Sequence, residues 1–206
     1  MERKPLVAIE CLESEFSPWL LLEYRHASII YGKEHIMYTN VPRRYHSILK
    51  RYGYVREESV LDIFLGEEIL ILDPAADRIV SKSDLEDIEV VVVGGILGDH
   101  PPKGRTRKLL SERARGSKIR GLGSGQYSID GAVYVFKYIL EKGSLRGLAY
   151  IDGLELRYSK DDIEIKINLP FRYPLVNGKP LIAPGLKEFL IHRRLSRWIV
   201  EEMLSK

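Results

Sequence analysis

Apolar residues in this chain alternate between short unbroken runs and stretches spaced three and four positions apart. Leu6–Ile9, Ile36–Val41, Ile69–Leu72 and Val90–Val93 are largely continuous runs. A run without alternation reads as a strand covered on both faces, as in a parallel sheet. Between the first two runs, Ser17-Pro18 opens a helix, since serine caps and proline is tolerated at the first helical position. Leu20, Leu21, Tyr24, Ala27 and Tyr31 follow at helical spacing, and Gly32 stops it. A second helix is expected through Tyr45, Ile48, Leu49 and Tyr52, ending near Gly53, and a short one near Ser83–Asp87. Strands alternating with helices predict a parallel sheet built of βαβ units.

The pattern continues beyond the valine run. A basic helix is expected over roughly Arg105–Arg115, then a short strand at Lys118–Arg120. Ser128 caps a helix with apolar positions Ile129, Ala132, Val133, Phe136, Ile139 and Leu140, ended by Gly143. Leu148–Leu156 and Ile163–Leu169 read as an antiparallel pair joined by Ser159-Lys160-Asp161-Asp162, with one wet face. Pro170–Gly185 reads as a connection with a turn at Asn177-Gly178, and one final helix is expected from about Leu186 to Met203.

The strand Val90–Val93 runs straight into Gly94-Gly95-Ile96-Leu97-Gly98-Asp99-His100-Pro101-Pro102. Glycines at a strand's C-terminal end permit close approach, because no Cβ stands in the way. That edge of an open α/β sheet is where ligands bind. A second glycine-rich stretch is Gly121–Gly125. Neither ends in Gly-Lys-Ser/Thr, and the first lacks dinucleotide-fingerprint spacing, so a generic nucleotide site is disfavoured. Two close-approach loops remain, or else two ordinary tight turns.

Composition narrows the setting. The single cysteine, Cys11, excludes an intramolecular disulfide and a Cys-rich zinc site, and points to a reducing, cytoplasmic compartment. No signal peptide and no membrane-length apolar run are visible. The net charge of +3 is uneven: the segment 103–120 carries Lys103, Arg105, Arg107, Lys108, Arg113, Arg115, Lys118 and Arg120 against Glu112 alone. A basic lobe beside a cofactor loop suggests an anionic partner such as RNA, and a solvated helix face is the plain alternative.

Val93–Pro102 with Arg105-Thr106, together with Leu122–Val133, resembles the SPOUT class of methyltransferases. More narrowly, the chain resembles a family first described as S-adenosylmethionine (SAM)-dependent RNA methyltransferases, which includes a eukaryotic enzyme acting on an arginine of a ribosomal protein. Glu10, Glu15-Phe16-Ser17-Pro18-Trp19, Glu23-Tyr24, Asn168–Tyr173 and Pro184-Gly185 extend the similarity over nearly the whole chain. The resemblance implies a single α/β domain over 1–206: a mostly parallel sheet flanked by helices, with a C-terminal trefoil knot within roughly 88–206. Chain-connection rules alone exclude such a knot. The resemblance also implies SAM bound by Gly94, Gly95, Ile96, Leu97, Gly98, Asp99, Leu122, Gly123, Gln126, Tyr127 and Ser128. It leaves monomer and homodimer both open.

Methyl transfer from a sulfonium is a direct displacement, which needs alignment more than a covalent intermediate. An arginine or base nitrogen must also lose a proton, so a carboxylate is useful. Asp99, at the loop lip, is the first candidate, with a loop-structuring Asx turn as the alternative. Glu10, Glu15 and Glu23 are candidates to hold a guanidinium, or ordinary surface residues. Asp130 suits its helix N-terminus on structural grounds alone. His100, lacking a His or Cys partner, is a poor metal ligand, and no metal site is expected. The expected activity is arginine methylation on a ribosomal protein. The rivals are methylation of rRNA or tRNA, and a non-catalytic RNA-binding or ribosome-assembly role.

Overall fold

A computed structural model describes residues 4–160 and 163–204. Six strands form one parallel sheet: β1 (Leu6–Cys11), β2 (Ile36–Thr39), β3 (Tyr54–Val55), β4 (Ile69–Leu72), β5 (Val90–Gly95) and β6 (Lys118–Arg120), in the order β3-β2-β1-β5-β4-β6. The register sets Ala8 and Ile71 on either side of Val92. The valine run lacks alternation because both faces of β5 are covered. Val91 and Val93 pack with Tyr24, Val133 and Phe136 from α1 (Pro18–Tyr31) and α4 (Ile129–Lys142). Val90 and Val92 pack on the other face with Val60 and Leu110.

Local signals place the two long helices. Ser17 Oγ accepts from Leu20 N at 3.2 Å, and Gly32 closes α1 at φ 97°. Ser128 caps α4, and Gly143 ends it at φ 80°, in the left-handed region. The helix expected across Tyr45–Tyr52 shrinks to α2 (His46–Leu49), preceded by a single turn at Arg43–Tyr45. The one expected near Ser83–Asp87 is a 3₁₀ turn, Lys82–Leu85. α3 (Val60–Ile63), capped by Ser59, and the two-residue β3 were too short to register as periodicity. The basic helix is also shorter than expected. Its wide turn, Arg107–Ser111, closes with Glu112 N donating to Arg107 O at 2.9 Å, and turns follow up to β6.

The antiparallel pair is present but longer than predicted: β7 (Tyr150–Lys160) runs against β8 (Ile163–Val176), and β9 (Lys179–Pro180) pairs with the end of β8. Pro170–Val176 is therefore strand, not connection. The proline is tolerated because the register shifts between Asp152 and Leu154, a bulge where Pro170 owes no N–H to the ladder. Asn177 and Gly178, at φ 51° and 75°, make the tight turn. Asp161-Asp162 of the expected β7–β8 turn lie outside the described residues.

The final helix is two helices, α5 (Leu186–His192) and α6 (Arg197–Leu204), broken at Arg193 with φ 55°. The break lets Leu186, Leu190 and Ile199 all reach a second core containing Leu22, Leu169, Phe171 and Tyr173. A Cβ on Gly185 would overlap Ile199 Cδ1, so α6 folds tightly back over the start of α5. No helix among the described residues is long and apolar enough to cross a membrane.

The connection after β4 returns across the end of β6. Asp73 N donates to Arg120 O at 2.8 Å, Gly121 N to Arg78 O at 2.7 Å, and Val80 N to Gly121 O at 3.0 Å. The chain at Arg120-Gly121 is thus clasped from two sides.

Candidate active site

The strand order reverses beside β1: the chain runs outward through β2 and β3, then returns on the other side through β4 and β5. In open α/β sheets the crevice at the carboxyl ends of strands near such a reversal binds ligands. A cavity of about 280 Å³ lies at the carboxyl ends of β5, β4 and β6, near the lower end of the roughly 300–1,000 Å³ usual for small-molecule sites. Its walls are Leu72–Ala75 at the end of β4, Val93, Gly94 and Ile96–Asp99 at the end of β5 with Pro102–Thr106, and Leu122, Gly123, Gly125–Ile129 and Ala132 leading into α4. Gly94, Ile96, Leu97, Gly98, Asp99, Leu122, Gly123, Gln126, Tyr127 and Ser128 all line it.

Gly95 lies behind the cavity wall. It is buried, its carbonyl accepts from Tyr24 Oη at 2.9 Å, and a Cβ there would stand 2.8 Å from Glu10 O. The other glycines also admit protein atoms, not only open space for a ligand. A Cβ at Gly94 would meet Thr106 Oγ1 at 3.1 Å. One at Gly98 would overlap Gln126 Nε2 and stand 2.5 Å from Phe171 Cε1. One at Gly125 would stand 2.8 Å from Arg172 Nε. The missing side chains let the two loops close on each other and on β8.

At the lip, Asp99 is already engaged. Arg105 Nε donates to its Oδ2 at 2.6 Å, and Lys103 Nζ lies 3.5 Å from Oδ1. The same guanidinium donates to Glu13 Oε1 at 3.2 Å and to Leu97 O, and Leu97 N also donates to Glu13 Oε1 at 3.2 Å. Arg105 therefore ties the loop after β5 to the segment after β1. Charge-assisted bonds of this kind are stronger than neutral ones.

The basic segment divides in two. Arg107 bonds Asp73 at 3.4 Å and Ala75 O at 2.6 Å. Lys118 donates to Asp84 O and Glu86 O, and Arg120 to Asp84 Oδ1. Burial pushes the Asp84 carboxyl up, but the Arg120 and Ser81 hydrogen bonds outweigh it and hold it at about 2. Lys103, Lys108, Arg113 and Arg115 are exposed.

The three candidate glutamates do not converge. Glu10 is buried in the sheet edge, accepting from Thr39 Oγ1 at 2.6 Å, Ser59 Oγ at 2.7 Å and Val60 N at 2.9 Å. It anchors α3 to β1 and β2. Glu15 faces solvent, paired with Arg44 and Tyr45. Glu23 is buried behind the cavity, accepting from Trp19 Nε1 at 2.6 Å and Ile129 N at 2.9 Å. None of the three lines the cavity, and they share no hydrogen-bond partner among the described residues.

Glu23 sits at the N-terminus of α4 beside Asp130, which takes His26 Nδ1 at 2.7 Å and Ser128 Oγ at 2.6 Å. Burial, then the Asp130 charge, raises the Glu23 carboxyl to about 8. The buried Tyr173 hydroxyl has no hydrogen-bond partner among the described residues; burial first, then the charges of Glu23 and Asp130, push its ionisation upward. These groups hold Ser128 and Ile129, two cavity residues, from behind. Glu13, Thr106 and Arg172 also shape the site and were missed as candidates. Thr106 follows the Val93–Pro102 motif closely and Arg172 lies in the Asn168–Tyr173 segment, but Glu13 lies in no pattern.

Comparison with solved structures places this geometry. The chain superposes on the yeast arginine methyltransferase SFM1 complexed with SAM at a TM-score of 0.81 and 26% identity, covering 93% of this chain and 92% of that one. The dual-specific Trm10 of Thermococcus kodakaraensis shares the fold at a TM-score of 0.53 and 16% identity, covering 68% of this chain and 94% of that one. The parallel sheet flanked by helices is thus the fold of SPOUT-like methyltransferases. Within that class the chain belongs to the family of SFM1-like protein arginine N-methyltransferases, whose model matches residues 6–197. The Saccharomyces cerevisiae protein arginine N-methyltransferase SFM1 is 28% identical over 199 residues, spanning 88% of this chain and 92% of the yeast protein.

Proposed function

We propose that this protein transfers a methyl group from SAM, bound between the two glycine loops, to an arginine side chain of a ribosomal protein. The observation that carries the reading is the cavity at the sheet's carboxyl edge, in a chain of the SFM1-like family. The residues suit the donor. Leu72, Leu122, Ile129 and Ala132 supply apolar walls for a flat base, and the Leu122–Ser128 stretch supplies main-chain donors and acceptors. The clasp around Arg120-Gly121 supports a trefoil thread through this region.

When bound, SAM supplies an electrophilic methyl carbon on a sulfonium, transferred in one displacement. The protein's part is alignment and proton removal. Asp99, 22% exposed at the lip, is the carboxylate placed to take the proton leaving the guanidino nitrogen. Arg105 and Glu13 fix its orientation. Glu10 and Glu23 act through the fold, as anchors of α3 and α4.

A ribosomal setting is supported by the exposed cations Lys103, Lys108, Arg113 and Arg115, which offer an RNA-docking face beside the cavity, in the cytoplasm. These same cations favour RNA itself as the rival acceptor. Incubating the enzyme with labelled SAM and unmodified ribosomes separates the readings. Label is expected in arginine of a ribosomal protein; label in RNA overturns the acceptor. Absence of saturable SAM binding by calorimetry would leave a non-catalytic assembly role.

A further inference from the structure

Two consecutive residues of β8 touch both glycine loops. Phe171 packs against Gly98, on the loop after β5. Arg172 reaches the loop after β6: its backbone N donates to Gln126 O at 2.8 Å, and its Nη1 donates to Ser124 O and, at 3.2 Å, to Ser124 Oγ. The guanidinium is fixed from the far side. Nε and Nη2 donate to the two oxygens of Asp152 at 2.7 Å each, and the group lies 3.9 Å from the centre of the Tyr150 ring.

The wall that Arg172 grips is intrinsically soft. Gly123 and Gly125, at φ 88° and 94°, adopt backbone conformations that are cheap for glycine alone, and glycine carries the largest ordering entropy. A soft wall must be ordered when ligand binds, which weakens affinity unless something orders it beforehand. We propose that Phe171-Arg172 sets the spacing of the two loops, and that Arg172, clamped by Asp152 and Tyr150, is a positioning residue for the methyl donor. The antiparallel sheet would then be part of the cofactor site rather than an appendage. Lysine cannot reproduce the clamp, because it lacks the planar fork that bonds Asp152 and Ser124 together.

The inference rests on SAM binding in this cavity, so the full chain is titrated calorimetrically with SAM, alongside Arg172→Lys and Asp152→Asn. The expected result is affinity about tenfold weaker for Arg172→Lys and several-fold weaker for Asp152→Asn, the scale of one lost preorganising contact. The KM for SAM should rise while the KM for the acceptor protein stays unchanged, a split that a purely structural role would not produce. Asp152 is 62% exposed, so its variant keeps the test open should Arg172→Lys fail to fold. SAM affinity within twofold of wild type in a folded variant overturns the inference, as does full rescue by lysine. A wild-type chain that binds no SAM instead sinks the function reading itself.

Discussion

Adding one methyl group at Gly98 tests whether the two loops meet as tightly as described. In Gly98→Ala the new carbon overlaps Gln126 Nε2 and stands 2.5 Å from Phe171 Cε1, whereas carbons in contact sit about 3.5–4.0 Å apart. The Gln126 amide is the end of a flexible chain and swings away. Phe171 is only 9% exposed and packed in the second core, so it cannot. Its ring must shift by about 1 Å or more to restore contact distance. Overpacking of this kind costs about 1–3 kcal/mol. At about 2–4 °C per kcal/mol for a domain of this size, Tm should fall by about 2–12 °C. Gln126 also lines the cavity. If bound SAM demands the original spacing, the same energy appears as about 5- to 150-fold weaker binding. Thermal unfolding with and without SAM, together with calorimetric titration, measures both terms. A variant matching wild type in Tm and in SAM affinity would refute the close contact between loops.

Three other perturbations follow from the site. Asp99→Asn should lower kcat by about 10²-fold or more with a much smaller effect on SAM affinity, read by steady-state kinetics and calorimetry; the reverse pattern would remove Asp99 as proton acceptor. Burial, then the Asp130 charge, raises Glu23 from 4.5 to about 8, so the folded protein keeps a proton that the unfolded chain releases. Stability from this group is therefore complete below the unfolded value and is lost as pH rises toward 8, by up to about 1 kcal/mol per pH unit. Denaturant titrations across that window should show a shallower fall for Glu23→Gln; equal slopes would contradict the assignment. Ser17→Ala removes the bond to Leu20 N and should cost about 0.5–2 kcal/mol in chemical denaturation, with no effect on SAM affinity.

The legible parts of the fold were those with local causes. Ser17 and Gly32, or Ser128 and Gly143, bound their helices because a cap involves atoms only a few residues away. The valine run identified a central strand because burial on both faces removes alternation. The single final helix failed for the same reason in reverse: its periodicity continued through Arg193, but Ile199 had to fold back over Gly185. The glycine loops were visible as glycine, but not what each one admits. Nothing near Gly98 in the chain indicates Phe171, and nothing near Gly95 indicates Tyr24.

The acids divide along the same line. From sequence alone, Glu10, Glu15 and Glu23 are equivalent carboxylates, and no pattern marks Glu13. Glu10 meets Ser59 across 49 residues, Glu23 meets Ile129 across 106, and Glu13 meets Arg105 across 92. The linear chain determined strand, helix and loop, because propensity, capping and periodicity act over a few residues. Only the tertiary structure decided which carboxylate anchors a helix, which faces water and which stands at the cavity mouth. Burial and charge pairing depend on the segments that packing brings together, and not on neighbours along the chain.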